Sequence, residues 1–132
     1  MIVGLSAAAL QGAAVVTQDV DLWFRDLDDP RIRKALKKVG ATCLQSMGDN
    51  PPVFVGKAVE LFDIVLNMHG LEDFQEEKRG AVKISLGSFK VPVLPLDRII
   101  KSKRALGRPK DLLYLQVLAD TRKAIQGLKK KR

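Results

Sequence analysis

The chain has 132 residues, 46% hydrophobic and 29% charged, with 23 lysines and arginines against 15 acidic residues and a formal net charge of +8. That length fits a single domain over residues 1–132 with one core, and that composition excludes a disordered chain. One cysteine, Cys43, without a Cys or His cluster around it, excludes a disulfide scaffold or a zinc finger and fits a reducing, cytoplasmic setting.

Residues 1–16 (MIVGLSAAALQGAAVV) are apolar but lack a basic leader and run straight into Asp19 and Asp21. They fall short of the roughly 20 residues a membrane span needs, so they read as buried structure with no membrane role. Ser6 is placed to cap a short helix through Leu10, closed by Gly12. Residues 17–25 alternate, with Val20, Leu22 and Phe24 on one face and Asp19, Asp21 and Trp23 on the other, the period of a strand. Asp29 then caps a helix opened by Pro30, which runs through Ile32, Ala35, Leu36 and Val39 to Gly40.

A turn over 47–52 leads to a short strand at 53–55, and 58–67 reads as a longer strand with Phe62, Ile64 and Leu66 opposite Leu61, Asp63 and Val65. Residues 73–79 make a short helix. Residues 81–86 and 89–94 flank Gly87 and Ser88 as a hairpin, and Pro92 favours an edge position for its second arm. Two helices follow, 96–106 and then Pro109 to about Ile125, ahead of Gly127. The expected class is α+β: a small mixed sheet with helices packed on it and a C-terminal helix pair.

Charge is concentrated at one end. Residues 1–97 carry 11 basic and 13 acidic side chains, net −2, whereas residues 98–132 carry 12 and 2, net +10. The basic helical segment 96–132 therefore attracts phosphates, of a nucleotide or a polynucleotide, although Lys129, Lys130, Lys131 and Arg132 by themselves read as a solvated tail.

Asp19 and Asp21, two apart on a strand, share a face at roughly 6 to 7 Å. They either face solvent or share a metal. Asp63, amid Leu61, Phe62, Ile64 and Val65, needs a compensating partner. Three converging carboxylates would demand a divalent ion, Mg2+ or Mn2+. Lys103 falls inside the apolar stripe of Leu96, Ile99, Ile100 and Leu106, where it either snorkels or is held for an anion. His69, the only histidine, reads as a strand-end residue, and Trp23 and Tyr114 are too few for a base-stacking platform.

Four segments taken in order, residues 4–12 (GLSAAALQG), 17–22 (TQDVDL), 62–64 (FDI) and 103–111 (KRALGRPKD), resemble the minimal nucleotidyltransferases of the DNA polymerase beta-like superfamily. The nearest look is to the stand-alone abortive-infection toxin type of toxin-antitoxin systems. The resemblance implies two-metal transfer of a nucleoside monophosphate from NTP. Asp19 and Asp21 match the paired metal ligands, and Asp63 matches the third carboxylate that helps activate an acceptor hydroxyl. Gly4 and Ser6 match the phosphate-holding glycine turn, and Lys103 matches a phosphate-binding lysine. Asp111 matches an acidic residue that is a general-base candidate, or else pairs with Arg108 or Lys110 in the first turn of its helix. Lys101, Arg104, Arg108 and Lys110 would contact a polyanion.

Leu5 stands where the family has a second Gly or a Ser. The expected function is a Mg-dependent transfer to a hydroxyl of RNA such as tRNA, of a protein or of a small molecule. The alternatives are a catalytically degraded module of the same fold that binds nucleic acid or a protein, and an antitoxin-like protein whose apolar N-terminal segment is covered by another chain.

Overall fold

The computed structural model describes residues 1–131. It contains β1 (Ile2–Val3), α1 (Gly4–Leu10), β2 (Val20–Trp23), α2 (Pro30–Lys38), β3 (Thr42–Leu44), β4 (Val53–Val55), β5 (Phe62–Val65), α3 (Phe74–Arg79), β6 (Val82–Leu86), β7 (Phe89–Val93), α4 (Leu96–Leu106) and α5 (Pro109–Lys130). Five strands form a mixed sheet in the order β5-β2-β1-β7-β6, and β3 and β4 form a separate antiparallel pair. The class is α+β.

Local chemistry explains several boundaries. Asp29 accepts the Arg31 N–H at 2.9 Å ahead of Pro30, so α2 begins with one of its orphan donors satisfied. Asp73 does the same for α3 through the Glu76 N–H at 3.0 Å. Gly107, in the left-handed region at φ 61°, stops α4, and Arg108 and Pro109 start α5. The alanines of α1 let it approach closely: Ala7 and Ala8 are fully buried, and they share the core with Val3, Trp23, Val93, Leu94, Ile99, Ile100 and Leu118.

Six points of the expected arrangement are corrected. Ser6 does not cap α1, which starts at Gly4 with Val3 at its cap position. The 17–25 strand is ordered as strand only over Val20–Trp23, and the 58–67 strand only over Phe62–Val65, because a single 3-10 turn at Lys57–Val59 takes its first residues. β3 is an additional strand; it pairs Thr42 with Val55 and Leu44 with Val53. The arm bearing Pro92 is interior and β6 is the edge; Pro92 pairs with Lys83 of β6, and β1 meets β7 only at Val93, so the missing proline N–H lies outside the β1–β7 pairing. Finally, α5 passes through Gly127 to Lys130, and Arg132 of the expected tail lies outside the described residues. Among the described residues no helix is long and apolar enough to cross a membrane.

Candidate functional site

The parallel ladder of β2 and β5 sets Asp21 directly beside Asp63, in a register that also pairs Val20 with Phe62 and Leu22 with Ile64. Side chains paired across a parallel ladder point to the same side, so the two carboxylates share a face. Asp19 precedes the paired stretch and is exposed, while the Val20 N–H binds the Leu61 carbonyl at 2.7 Å and fixes the entry of β2. Burial, then the charges of Asp63 and Asp19, push the Asp21 carboxyl above its ordinary value, and Lys103 opposes them. Asp19, Asp21, Asp63 and Lys103 therefore share one electrostatic neighbourhood. The expected convergence is looser than three ligands on one ion, since among the described residues no three His, Cys, Asp or Glu side chains gather around a common point.

Gly4 holds φ 66°, and a Cβ built there would overlap the Asp21 carboxylate. Only glycine lets the α1 turn lie against that group. Ser6, 6% exposed, donates to the Val3 carbonyl at 2.8 Å and accepts the Asp21 N–H at 3.2 Å. Its hydroxyl thus fastens the start of α1 to β2. The expected phosphate contact at Ser6 gives way to this structural one, because a buried hydroxyl with both backbone bonds made has little left to offer a ligand.

Lys103 projects from α4 with its side chain 14% exposed and its Nζ 3.4 Å from Asp111 Oδ1. It also lies 5.9 Å from the Tyr114 ring centroid. Asp111 is 1% exposed and accepts from Arg108 Nε at 2.6 Å and Arg108 Nη2 at 3.2 Å. These hydrogen bonds, chiefly from Arg108, hold its carboxyl below the ordinary range despite burial. Of the two pairings expected for it, Asp111 makes the one with Arg108 rather than Lys110, and a carboxylate stabilised in this way is a weak base. Arg108 is correspondingly occupied. Lys101, Arg104 and Lys110 are exposed and make no salt bridge among the described residues. His69 is exposed beyond the end of β5.

Two features have no counterpart in the motifs. Glu77, 5% exposed, takes a two-point bond from Arg98 at 2.7 and 2.6 Å and accepts the Glu72 N–H at 3.0 Å, joining α3 to α4. A cleft of about 990 Å³ lies between the sheet, α2, β4 and α3, and none of Gly4, Ser6, Asp19, Asp21, Asp63, Lys103 and Asp111 lines it. The chain matches no family model and no curated protein. Fold and site together define an α+β domain with a paired-carboxylate sheet face, a glycine turn against it and a buttressed lysine beside it.

Proposed function

We propose that the protein is a metal-dependent nucleotidyltransferase that moves a nucleoside monophosphate from NTP to an acceptor hydroxyl. The contact of Gly4 with Asp21, and of Asp21 with Asp63 across the ladder, carries this reading, because it joins three of the four motif segments at one place. The donor set suits a hard divalent cation: two adjacent acceptor-only carboxylates, one of them with its pKa raised first by burial and then by the neighbouring negative charges. Asp21 and Asp63 would hold Mg2+ or Mn2+, with Asp19 adding negative charge nearby. The ion, when bound, supplies charge neutralisation at the transferring phosphoryl group.

Lys103, whose charge opposes the raised pKa of Asp21, would bind the phosphates of NTP. Asp111 is a positioning residue: it holds Lys103 against Tyr114, while Arg108 offsets most of its charge so that Lys103 stays electrostatically available. Ser6 keeps the Asp21 backbone in register with the glycine turn.

Calorimetric titration of Mg2+ with each of the four NTPs tests the proposal, with wild type compared with an Asp21→Asn, Asp63→Asn double variant. Metal-dependent NTP binding that the variant lacks is the expected result. No binding to a folded wild type would sink it. A second reading, a degraded module of the same kind that binds nucleic acid, is favoured by the occupied Ser6 hydroxyl and by three exposed cations without a salt bridge among the described residues, Lys101, Arg104 and Lys110.

A further inference from the structure

The cleft of about 990 Å³ sits on the other side of β2 and β5 from the carboxylates. Leu22 and Phe62, which line it, neighbour Asp21 and Asp63 in sequence, and successive strand residues point to opposite faces. Its walls are apolar and aromatic: Leu22, Phe24 and Phe62 from the sheet side, Leu36 from α2, Phe54 from β4 and Phe74 from α3. A concave space of this size lined by aromatic rings matches the dimensions of a small-molecule site.

Charge around the cleft is lopsided. Arg25, Arg31, Lys78 and Arg79 line it against Asp26 and Asp29. Both carboxylates are engaged, Asp29 by Arg31 at 2.6 Å and Asp26 by the Asp28 N–H at 3.0 Å, and Arg79 is paired with Glu76 at 2.8 Å. Arg25 and Lys78 have no acidic partner within salt-bridge distance among the described residues, and Lys78 Nζ lies 5.8 Å from the Phe74 ring centroid. Trp23, 2% exposed, packs edge-on against Phe74 with ring centroids 5.5 Å apart and backs the same wall.

We propose that this cleft binds a small amphipathic anion, an apolar ring or chain bearing a carboxylate or sulfonate, with its body among the phenylalanines and its head toward Arg25 and Lys78. The site is separate from the nucleotide reading and stands or falls without it. The probe is anilinonaphthalene sulfonate, followed by fluorescence and competed with dodecanoate or, at matched chain length, dodecyltrimethylammonium. One saturable site is expected, displaced by the carboxylate at least about tenfold more effectively than by the cation.

Arg25→Gln with Lys78→Gln, both at exposed positions, should weaken binding about tenfold. Ala35→Trp, also at an exposed position lining the cleft, should abolish it. Asp21→Asn with Asp63→Asn should leave it unchanged. Equal competition by the cation, many weak sites, or binding that survives Ala35→Trp in a protein with wild-type circular dichroism would overturn the proposal.

Discussion

Gly4 and Ser6 illustrate how a single residue can be selected for its fit to a neighbour rather than for its own chemistry. Gly4→Ala adds a Cβ at positive φ into the Asp21 carboxylate, so a loss of about 1–3 kcal/mol in stability is expected, together with displacement of that carboxylate. Thermal melts with and without Mg2+ check both effects, because a displaced Asp21 should also erase the metal-dependent shift in melting temperature. Asp111 poses a sharper choice between roles. Removal of a general base typically costs about 10²–10⁴-fold in rate, whereas loosening a positioned lysine costs affinity first. Asp111→Asn should therefore raise KM for NTP and lower kcat by less than about tenfold, without deleting a limb of the pH profile. A hundredfold fall in kcat at unchanged KM would restore the base.

At the scale of elements, the buried Glu77–Arg98 pair fixes α3 against α4. Hydrogen bonds from Arg98 hold the Glu77 carboxyl below its ordinary value, outweighing its burial. With the folded-state pKa below the unfolded one, the stabilisation is fully present above the unfolded value near ~4.3 and is lost as pH falls through the folded value. Glu77→Gln should thus lower stability by about 1–3 kcal/mol at neutral pH, and its melting temperature should approach that of wild type at acid pH.

This pair also marks the limit of what the sequence carries. Elements with local signals were legible: α2 by its aspartate cap, the β6–β7 hairpin by Gly87 and Ser88, and α4 by its stripe. Elements defined by partners far along the chain were not. β3 is three residues long and exists only through β4; Glu77 and Arg98 are 21 residues apart; and Ser6, an apparent cap, is claimed by the Asp21 N–H across the fold. At the site, period placed Asp21 and Asp63 on strands and the i,i+3 spacing offered the Arg108–Asp111 pair, but the pairing of the two strands and the reach of Lys103 to Asp111 across the α4–α5 junction depended on contacts that periodicity does not encode.

Over the whole molecule, the excess of positive charge in residues 98–132 is smaller in effect than in count. Arg98 is spent on Glu77 and Arg108 on Asp111, both of those acids are buried, and Lys103 is held 3.4 Å from Asp111 in the candidate site itself. What remains near the candidate site is the exposed set Lys101, Arg104 and Lys110, of which Lys101 and Arg104 lie three apart on one face of α4. Each phosphate neutralised on a single strand contributes a slope of about −0.7 to the dependence of log affinity on log salt, so three contacts contribute about −2. Filter binding of a single-stranded RNA across a salt series should show at least that slope in wild type. A Lys101→Gln, Arg104→Gln, Lys110→Gln variant should flatten it by about 2 while leaving Mg2+ and NTP titrations unchanged. Arg108→Gln should behave differently, altering NTP affinity through Lys103 with little effect on the salt slope, because its guanidinium is already committed to a buried carboxylate rather than offered to a polyanion. If Arg108→Gln and the triple variant flatten the slope alike, Arg108 is a surface cation, and Lys103 owes its place to Asp111 alone.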